Sequence, residues 1–155
     1  MGIKSFQGKR DESQGKNEDQ ILVSDYMTTK LITFKPEQKI EEVIHTLIKN
    51  KISGGPVVNE KNELVGIISE GDCIKQISES RYYNMPIDSD QNVKKVMVTN
   101  VETIDGDMNI FDAANKFLES KRRRFPIIKN GKLIGQLSQK DELKAAIKVK
   151  GNTWK

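Results

Sequence analysis

Apolar residues recur along this chain with the spacing of one helix face, and they do so twice. The first set is Ile40, Val43, Ile44, Leu47 and Ile48. The second set is Ile110, Ala113, Ala114, Phe117 and Leu118. Both sets fall at positions i, i+3, i+4, i+7 and i+8, which predicts an amphipathic helix with one apolar face. The pattern therefore predicts two copies of the same helix, separated by 70 positions (Ile40 to Ile110).

Each predicted helix is followed by two short apolar runs around a turn. In the second copy the runs are Pro126–Ile128 and Leu133–Leu137, and Asn130-Gly131 lies between them. This dipeptide predicts a type I′ turn, since both central residues of that turn need a positive φ. In the first copy the runs are Gly55–Val58 and Leu64–Ile68, with a turn that is one residue longer. The sequence thus predicts a hairpin in each copy.

The two copies form an internal repeat of strand, helix, strand, strand and helix. Met27-Thr28-Thr29 returns as Met97-Val98-Thr99, and the motif Gly-x-x-Ser-x-x-Asp at 66–72 returns at 135–141. A unit of about 55 residues is marginal alone, so we expect the copies to pack on each other. The predicted organisation is a flexible tail (1–20), repeat 1 (21–79), a connector (80–92), repeat 2 (93–149) and a C-terminal tail (150–155).

Composition and charge narrow the function classes. The 155 residues include one cysteine, which excludes a disulfide framework, and one histidine far from it, so no metal or nucleophilic constellation is expected. There is no apolar run of membrane-spanning length and no apolar core of a signal peptide. These features predict a cytoplasmic protein that is not an enzyme, has no membrane association and requires no cofactor. The net charge of +4 does not by itself indicate a polyanion partner.

Two strands of the form apolar-Pro-apolar-apolar, each followed by Gly-x-x-Ser-x-x-Asp, resemble a tandem pair of CBS domains, also called a Bateman module. The resemblance covers about Ile21 to Val149. It implies an α/β fold of two βαββα repeats with pseudo-two-fold symmetry, in which three-stranded sheets carry helices on one side. It also implies two clefts that bind AMP, ADP, ATP or S-adenosylmethionine, a homodimer, and signalling to a separate effector protein.

The resemblance implies a primary cleft in which Asp141 holds the ribose hydroxyls and arginines lie on the phosphate side. Its expected residues are Met27, Ile32, Ile52, Ser53, Gly54, Arg123, Arg124, Gln136, Ser138 and Asp141. The expected residues of a secondary cleft are Met97, Glu102, Arg122, Ile67, Ser69 and Asp72. Because the charged walls at Glu102 and Arg122 suit a planar base poorly, we expect the Asp141 cleft to be the main nucleotide site.

Alternatives remain open for the motif and for the function. Ser-x-x-Asp at a helix start also fits a capping box, and this role is compatible with ligand binding. Besides nucleotide sensing, the chain fits a scaffold protein with empty clefts. A third hypothesis is a nucleic-acid binder that uses Arg122–Arg124, although a short basic run without interleaved aromatic residues is a weak signal for that function.

Overall fold

The structure of the protein, a computed structural model, describes residues 21–82 and 91–153. The predicted tail at 1–20 and most of the predicted connector lie outside these residues. The helices, in chain order, are α1 (Val23–Tyr26), α2 (Ile40–Asn50), α3 (Glu70–Tyr82), α4 (Val93–Val96), α5 (Ile110–Ser120) and α6 (Gln139–Thr153). The strands are β1 (Gly54–Val58), β2 (Leu64–Ser69), β3 (Ile104–Asp105), β4 (Arg124–Lys129) and β5 (Lys132–Ser138).

The strands form two small sheets of related topology, which confirms the predicted α/β fold. In the second repeat, β3 pairs in parallel with β4, and β4 pairs antiparallel with β5. In the first repeat, β1 pairs antiparallel with β2. The third strand there is reduced to one parallel bridge between Phe34 and Val57, where the Phe34 amide donates to Pro56 and the Phe34 carbonyl accepts from Val58.

The hairpin turns follow from local residue choice. Asn130 and Gly131 have φ values of 52° and 78°, so the predicted positive φ at both turn residues is confirmed. In the longer first turn, the Asn59 side chain accepts from the amides of Lys61 and Glu63, both at 2.9 Å. Asn62 adopts the left-handed conformation there, with φ 63°. The turn with the extra residue is thus stabilised by the Asn59 side chain and by the left-handed conformation of Asn62.

The two repeats exchange their first segments. Val23 is fully buried in the core of the second repeat, and Val93 is fully buried in the core of the first. Thr28 bridges Gln136 on the free edge of β5, and Val98 bridges Ile67 on the free edge of β2. Each packed unit therefore contains a segment from the other sequence repeat, so neither repeat completes its own core.

The apolar helix faces are only partly buried by the residues that the structure describes. Ile40, Val43 and Leu47 are buried on α2, as are the matching residues on α5. Ile48 and Leu118, expected on the same face, are instead 71% and 78% exposed. The last position of each apolar stripe is therefore left uncovered by the described part of the chain. Further exposed apolar residues lie on α3 and α6: Ile74, Ile77, Leu143 and Ile147.

The C-terminal helix of each repeat runs past the end expected from apolar periodicity. Helix α3 continues to Tyr82 and α6 to Thr153, beyond the predicted repeat ends at residues 79 and 149. Lysine, glutamate and arginine propagate a helix almost as well as apolar residues do, so a loss of apolar period does not end it. Within residues 21–82 and 91–153, no helix has both the length and the apolarity needed to cross a bilayer.

Candidate functional site

A cleft of about 270 Å³ lies where the two repeats meet, and it is called the Asp141 cleft below. Repeat 1 contributes the segment that follows α1 and the start of β1, and repeat 2 contributes β4, β5 and the start of α6. Its lining residues are Thr28, Lys30, Leu31, Ile32, Ile52, Gly54, Pro56, Arg124, Gln136, Ser138 and Asp141. The cleft is therefore built jointly by both halves of the chain.

Asp141 is held in place by the first turn of α6. The Ser138 amide donates to Asp141 Oδ2 at 3.0 Å, and the Asp141 amide donates to Ser138 Oγ at 3.1 Å. These reciprocal bonds form a capping box, so the capping interpretation of the motif is confirmed. The side chain of Asp141 is nonetheless part of the cleft wall, although the residue is only 8% exposed. Capping and cleft lining thus coexist at this residue.

A second donor reaches the same carboxylate from the exchanged segment. Thr28 Oγ1 donates to Asp141 Oδ2 at 3.3 Å, a contact between residues that are 113 positions apart. Backbone bonds fix Thr28 there: its amide donates to the Gln136 carbonyl at 2.8 Å, and its carbonyl accepts from the Gln136 amide at 2.9 Å. Both donors, the Ser138 amide and the Thr28 hydroxyl, bond to Oδ2. Among the described residues, Oδ1 of Asp141 accepts no hydrogen bond, so it can accept one from a ligand hydroxyl.

The rest of the lining combines an apolar wall with cations. Ile32, Ile52 and Pro56 supply apolar surface, while Lys30 and Arg124 supply positive charge. An apolar slot suits a planar ring, a carboxylate suits a diol, and lysine and arginine suit phosphate. The arrangement therefore offers each of the groups that a nucleoside phosphate needs.

An adjoining cavity of about 170 Å³ shares several residues with the Asp141 cleft. It is lined by Ser53, Gly54, Gly55, Pro56, Ile67, Ser69, Arg124, Pro126 and Gln136. Arg124 lines both spaces. Among the residues that line this central cavity, Arg124 is the one that carries a charge.

The structure brings together seven of the ten residues expected in the primary cleft. These are Ile32, Ile52, Gly54, Arg124, Gln136, Ser138 and Asp141. Ser53 lines the central cavity instead. Met27 packs half-buried against the second-repeat core, and Arg123 is exposed, with its carbonyl accepting from the Gln139 amide at 3.0 Å. Neither Met27 nor Arg123 lines the cleft.

Four lining residues were not expected from the sequence: Thr28, Lys30, Leu31 and Pro56. All four lie within or next to segments that the repeat comparison had aligned. Thr28 differs from its counterpart Val98, and this difference was the available signal. It has meaning only once the exchange of first segments places residue 28 beside Asp141.

The residues expected in the secondary cleft are arranged differently. Asp72 Oδ2 accepts from both the amide and the hydroxyl of Ser69, at 2.9 and 3.0 Å. Arg122 Nε donates to Glu102 Oε1 at 3.1 Å, so these two wall residues are paired with each other. Ile67 lines the central cavity, as does Ser69. Met97 packs on the first-repeat core.

The single cysteine of the chain, Cys73, is buried. The Cys73 thiol, next to Asp72, is 3% exposed, and burial raises its pKa, with the nearby carboxylates of Asp72 and Glu70 adding to the effect. A thiol in this environment stays protonated and behaves as a small core residue. Among the described residues, no three histidine, cysteine, aspartate or glutamate side chains converge in a way that would hold a metal ion.

The carboxyl group of Glu142, the neighbour of Asp141, is partly buried, and this burial disfavours its charged form. Its Oε1 is buried without a hydrogen-bond partner among the described residues, and desolvation raises the pKa from 4.5 to about 7. The folded state therefore holds a proton that the unfolded chain releases at lower pH. The stabilisation that the protonated Glu142 carboxyl contributes is fully present below pH 4.5 and is lost as the pH rises through 7.

We expect Glu142→Gln to remove this pH dependence. Because the group is only half buried, the expected effect is about 1 kcal/mol at pH 8, in favour of the variant. Urea unfolding at pH 5 and pH 8 measures it, with Glu60→Gln at an exposed position as the control. Equal pH dependence in wild type and Glu142→Gln would show that the carboxyl is solvated.

One protein-family model matches this chain, and it matches twice. The CBS domain model matches residues 23–79 and again residues 93–146. The uncharacterized protein MJ1225 of Methanocaldococcus jannaschii is 26% identical over 132 residues, which are 85% of this chain and 44% of that protein. The chain thus spans less than half the length of that relative.

Solved structures share the fold. CBSX2 of Arabidopsis thaliana, determined in complex with AMP, superposes with a TM-score of 0.72 at 28% identity, covering 84% of this chain and 98% of that one. The CBS domain pair of protein MJ0100, in complex with 5-methylthioadenosine and S-adenosyl-L-methionine, gives a TM-score of 0.64 at 25% identity, covering 83% and 97%. In both cases the bound compounds contain adenosine.

Proposed function

The chain belongs to the CBS domain family as a tandem pair, and on that premise we propose that it is a non-catalytic regulatory module that binds an adenine nucleotide in the Asp141 cleft. One observation carries the proposal: Asp141 is buried in the cleft wall, its Oδ2 is fixed by Ser138 and Thr28, and its Oδ1 accepts no bond among the described residues. An anchored carboxylate with one spare oxygen is suited to a ribose diol.

The remaining lining supports an orientation for the ligand. The base lies against Ile32 and Ile52, where apolar surface and the lack of charge favour a planar ring. The ribose hydroxyls donate to Asp141, and the phosphates are bound by Lys30 and Arg124. AMP, ADP and ATP all fit this description, and S-adenosylmethionine shares the adenosine part.

A thermal shift assay tests the proposal. AMP, ADP, ATP and S-adenosylmethionine are each titrated, with GTP as the control that changes the base. A ligand that binds only the folded state stabilises it by RT ln(1 + [L]/Kd), or about 2.7 kcal/mol at 100 times Kd. We expect a Tm that rises steadily with adenine-ligand concentration. An unchanged Tm with all four adenosine compounds at millimolar concentration would favour a ligand-free scaffold.

The structure gives less support to a nucleic-acid binder. Arg122 is paired with Glu102, Arg123 is exposed, and Arg124 lines the Asp141 cleft and the central cavity. Two of the three arginines therefore already face an acidic residue or the Asp141 cleft. Binding to nucleic acid would also require an affinity that falls steeply with salt.

We further propose that two modules pair through their exposed helix residues and that a nucleotide changes this pairing or its presentation to an effector protein. The exposed apolar residues on α2 and α3 have counterparts on α5 and α6, as Ile48 and Leu118 show. A surface repeated by pseudo-symmetry suits an isologous dimer, which places the same patch on both partners.

Lysine substitutions at positions 48 and 118 are expected to dissociate the dimer. Ile48→Lys with Leu118→Lys would bury two unpaired charges in the interface, which costs far more than the apolar contact gains. Sedimentation velocity at micromolar concentration should give the mass of two chains for wild type and of one chain for the variant. Val98→Lys, at an exposed apolar residue outside the helices, is the control. A monomeric wild type would contradict the pairing.

A further inference from the structure

We propose that the ion pair between Arg122 and Glu102 closes the mirror cleft, meaning the cleft on the Asp72 side, to a nucleobase, so that the module binds one nucleotide per chain. The inference deepens the proposed function, because it depends on the same base position that Ile32 and Ile52 provide in the Asp141 cleft. It assigns site selectivity to a specific pair of residues.

The repeat register identifies the positions involved. The offset of 70 places Glu102 where the first repeat has Ile32, and Arg122 where it has Ile52. Both isoleucines line the Asp141 cleft as neutral apolar walls. At the mirror positions the two side chains meet instead, with Arg122 Nε 3.1 Å from Glu102 Oε1. The contact joins the segment before β3 to the segment before β4, so it bridges the two walls between which a base would insert.

Desolvation makes this pair an effective barrier. The side chains are 47% and 38% exposed, so their mutual attraction is modest. A base inserted between them would separate the charges and remove water from both. Stacking of the Arg122 guanidinium on the purine returns part of this loss, but the Glu102 carboxylate is left desolvated and without a partner. On these grounds we expect AMP to bind the mirror cleft about 100-fold more weakly than the Asp141 cleft, which is a difference of about 2.7 kcal/mol.

The test replaces the two charged residues of the mirror cleft with the isoleucines found at the matching positions of the Asp141 cleft. Isothermal calorimetry with AMP is carried out on wild type, on E102I/R122I, and on E102I/R122I in a D141N background. We expect one site per chain in wild type and two in E102I/R122I. In the D141N background we expect E102I/R122I to give one site per chain, at the mirror cleft. Adding D72N to this variant should remove that site.

Two controls separate the barrier from general effects of charge and folding. D107N/K129Q removes another exposed ion pair of similar length, 3.2 Å, and should leave one site per chain. E102Q/R122M removes both charges while keeping side-chain volume, and it covers the case in which two isoleucines unfold the protein. We expect it to show a second, weaker site.

The outcomes distinguish the two proposals. If wild type binds two AMP molecules with similar affinity, or if both folded wall variants still bind one, the barrier is refuted while nucleotide binding stands. If wild type binds no AMP but the wall swap in the D141N background does, the barrier is supported and the assignment of the Asp141 cleft fails.

Discussion

Asparagine at position 141 is expected to lower the affinity for AMP by about 10- to 100-fold. The ribose diol bonds to a carboxylate, and hydrogen bonds to a charged acceptor contribute about 1.5–3 kcal/mol each. Asparagine keeps the size of the side chain and an oxygen that can accept from the Ser138 amide, so the cap of α6 is largely retained. The loss therefore reports on the charge toward the ligand, and calorimetry with AMP measures it.

Asp72→Asn is the matched control because it makes the same change at the equivalent motif position. Asp72 has its own capping box with Ser69 and should show the same small change in stability. Its AMP affinity is expected to stay within about twofold of wild type. The corresponding change in binding free energy is well below the 1.4 kcal/mol of a tenfold change. Equal losses of AMP affinity in the two variants would contradict the ranking of the clefts.

Valine at position 135 is expected to destabilise the fold by about 1–3 kcal/mol, through overpacking where the exchanged segment crosses β5. A Cβ on Gly135 would lie 2.6 Å from Met27 Sδ and 2.9 Å from the Thr28 carbonyl oxygen. The thioether can move, but the carbonyl is fixed by its bond from the Gln136 amide. Relief therefore requires residues 27 and 28 to leave β5.

The same change should weaken AMP binding, since Thr28 orients the Asp141 carboxylate. For a chain of this size, the loss of folding stability corresponds to a Tm lower by roughly 2–12 °C, measured by calorimetry without ligand. Gly71→Ala is the control: its new Cβ meets only Ser69 Oγ, at 3.7 Å, and alanine favours helix α3. A Tm for Gly135→Val equal to that of wild type would contradict the exchanged packing.

The parts of the fold that local chemistry decides were predictable from the sequence. The turn at Asn130-Gly131 requires positive φ at both residues, and few other residue pairs accept that conformation at low cost. The Ser-x-x-Asp motif fixes its own cap, because both partners lie within one turn of helix. Apolar periodicity identified the buried faces of α2 and α5. These features depend on neighbours in the chain, so a sequence alone contains them.

The exchange of first segments was not predictable in this way. Val23, Tyr26 and Met27 recur as Val93, Val96 and Met97, so these apolar positions alone do not say on which sheet each segment packs. The choice depends on small differences in packing between two similar cores, which periodicity does not measure. Thr28 was missed for this reason, since its distance to Asp141 exists only in the exchanged arrangement.

The exposed ends of the apolar stripes show a second limit of pattern analysis. Ile48 and Leu118 have the period of core residues, yet residues 21–82 and 91–153 do not cover them. An apolar position that packs inside the chain and one that packs against a partner have the same sequence signature. The ion pair at Arg122 and Glu102 is comparable: the charges were visible in the sequence, but their contact was not.

A crystal structure with AMP tests the central claim most directly, namely that the two halves jointly enclose one adenosine. We predict the ribose hydroxyls within hydrogen-bond distance of the Asp141 carboxylate, the base between Ile32 and Ile52, and no nucleotide between Glu102 and Arg122. AMP bound at Asp72 with the Asp141 cleft empty, or bound outside the groove between the repeats, would contradict it.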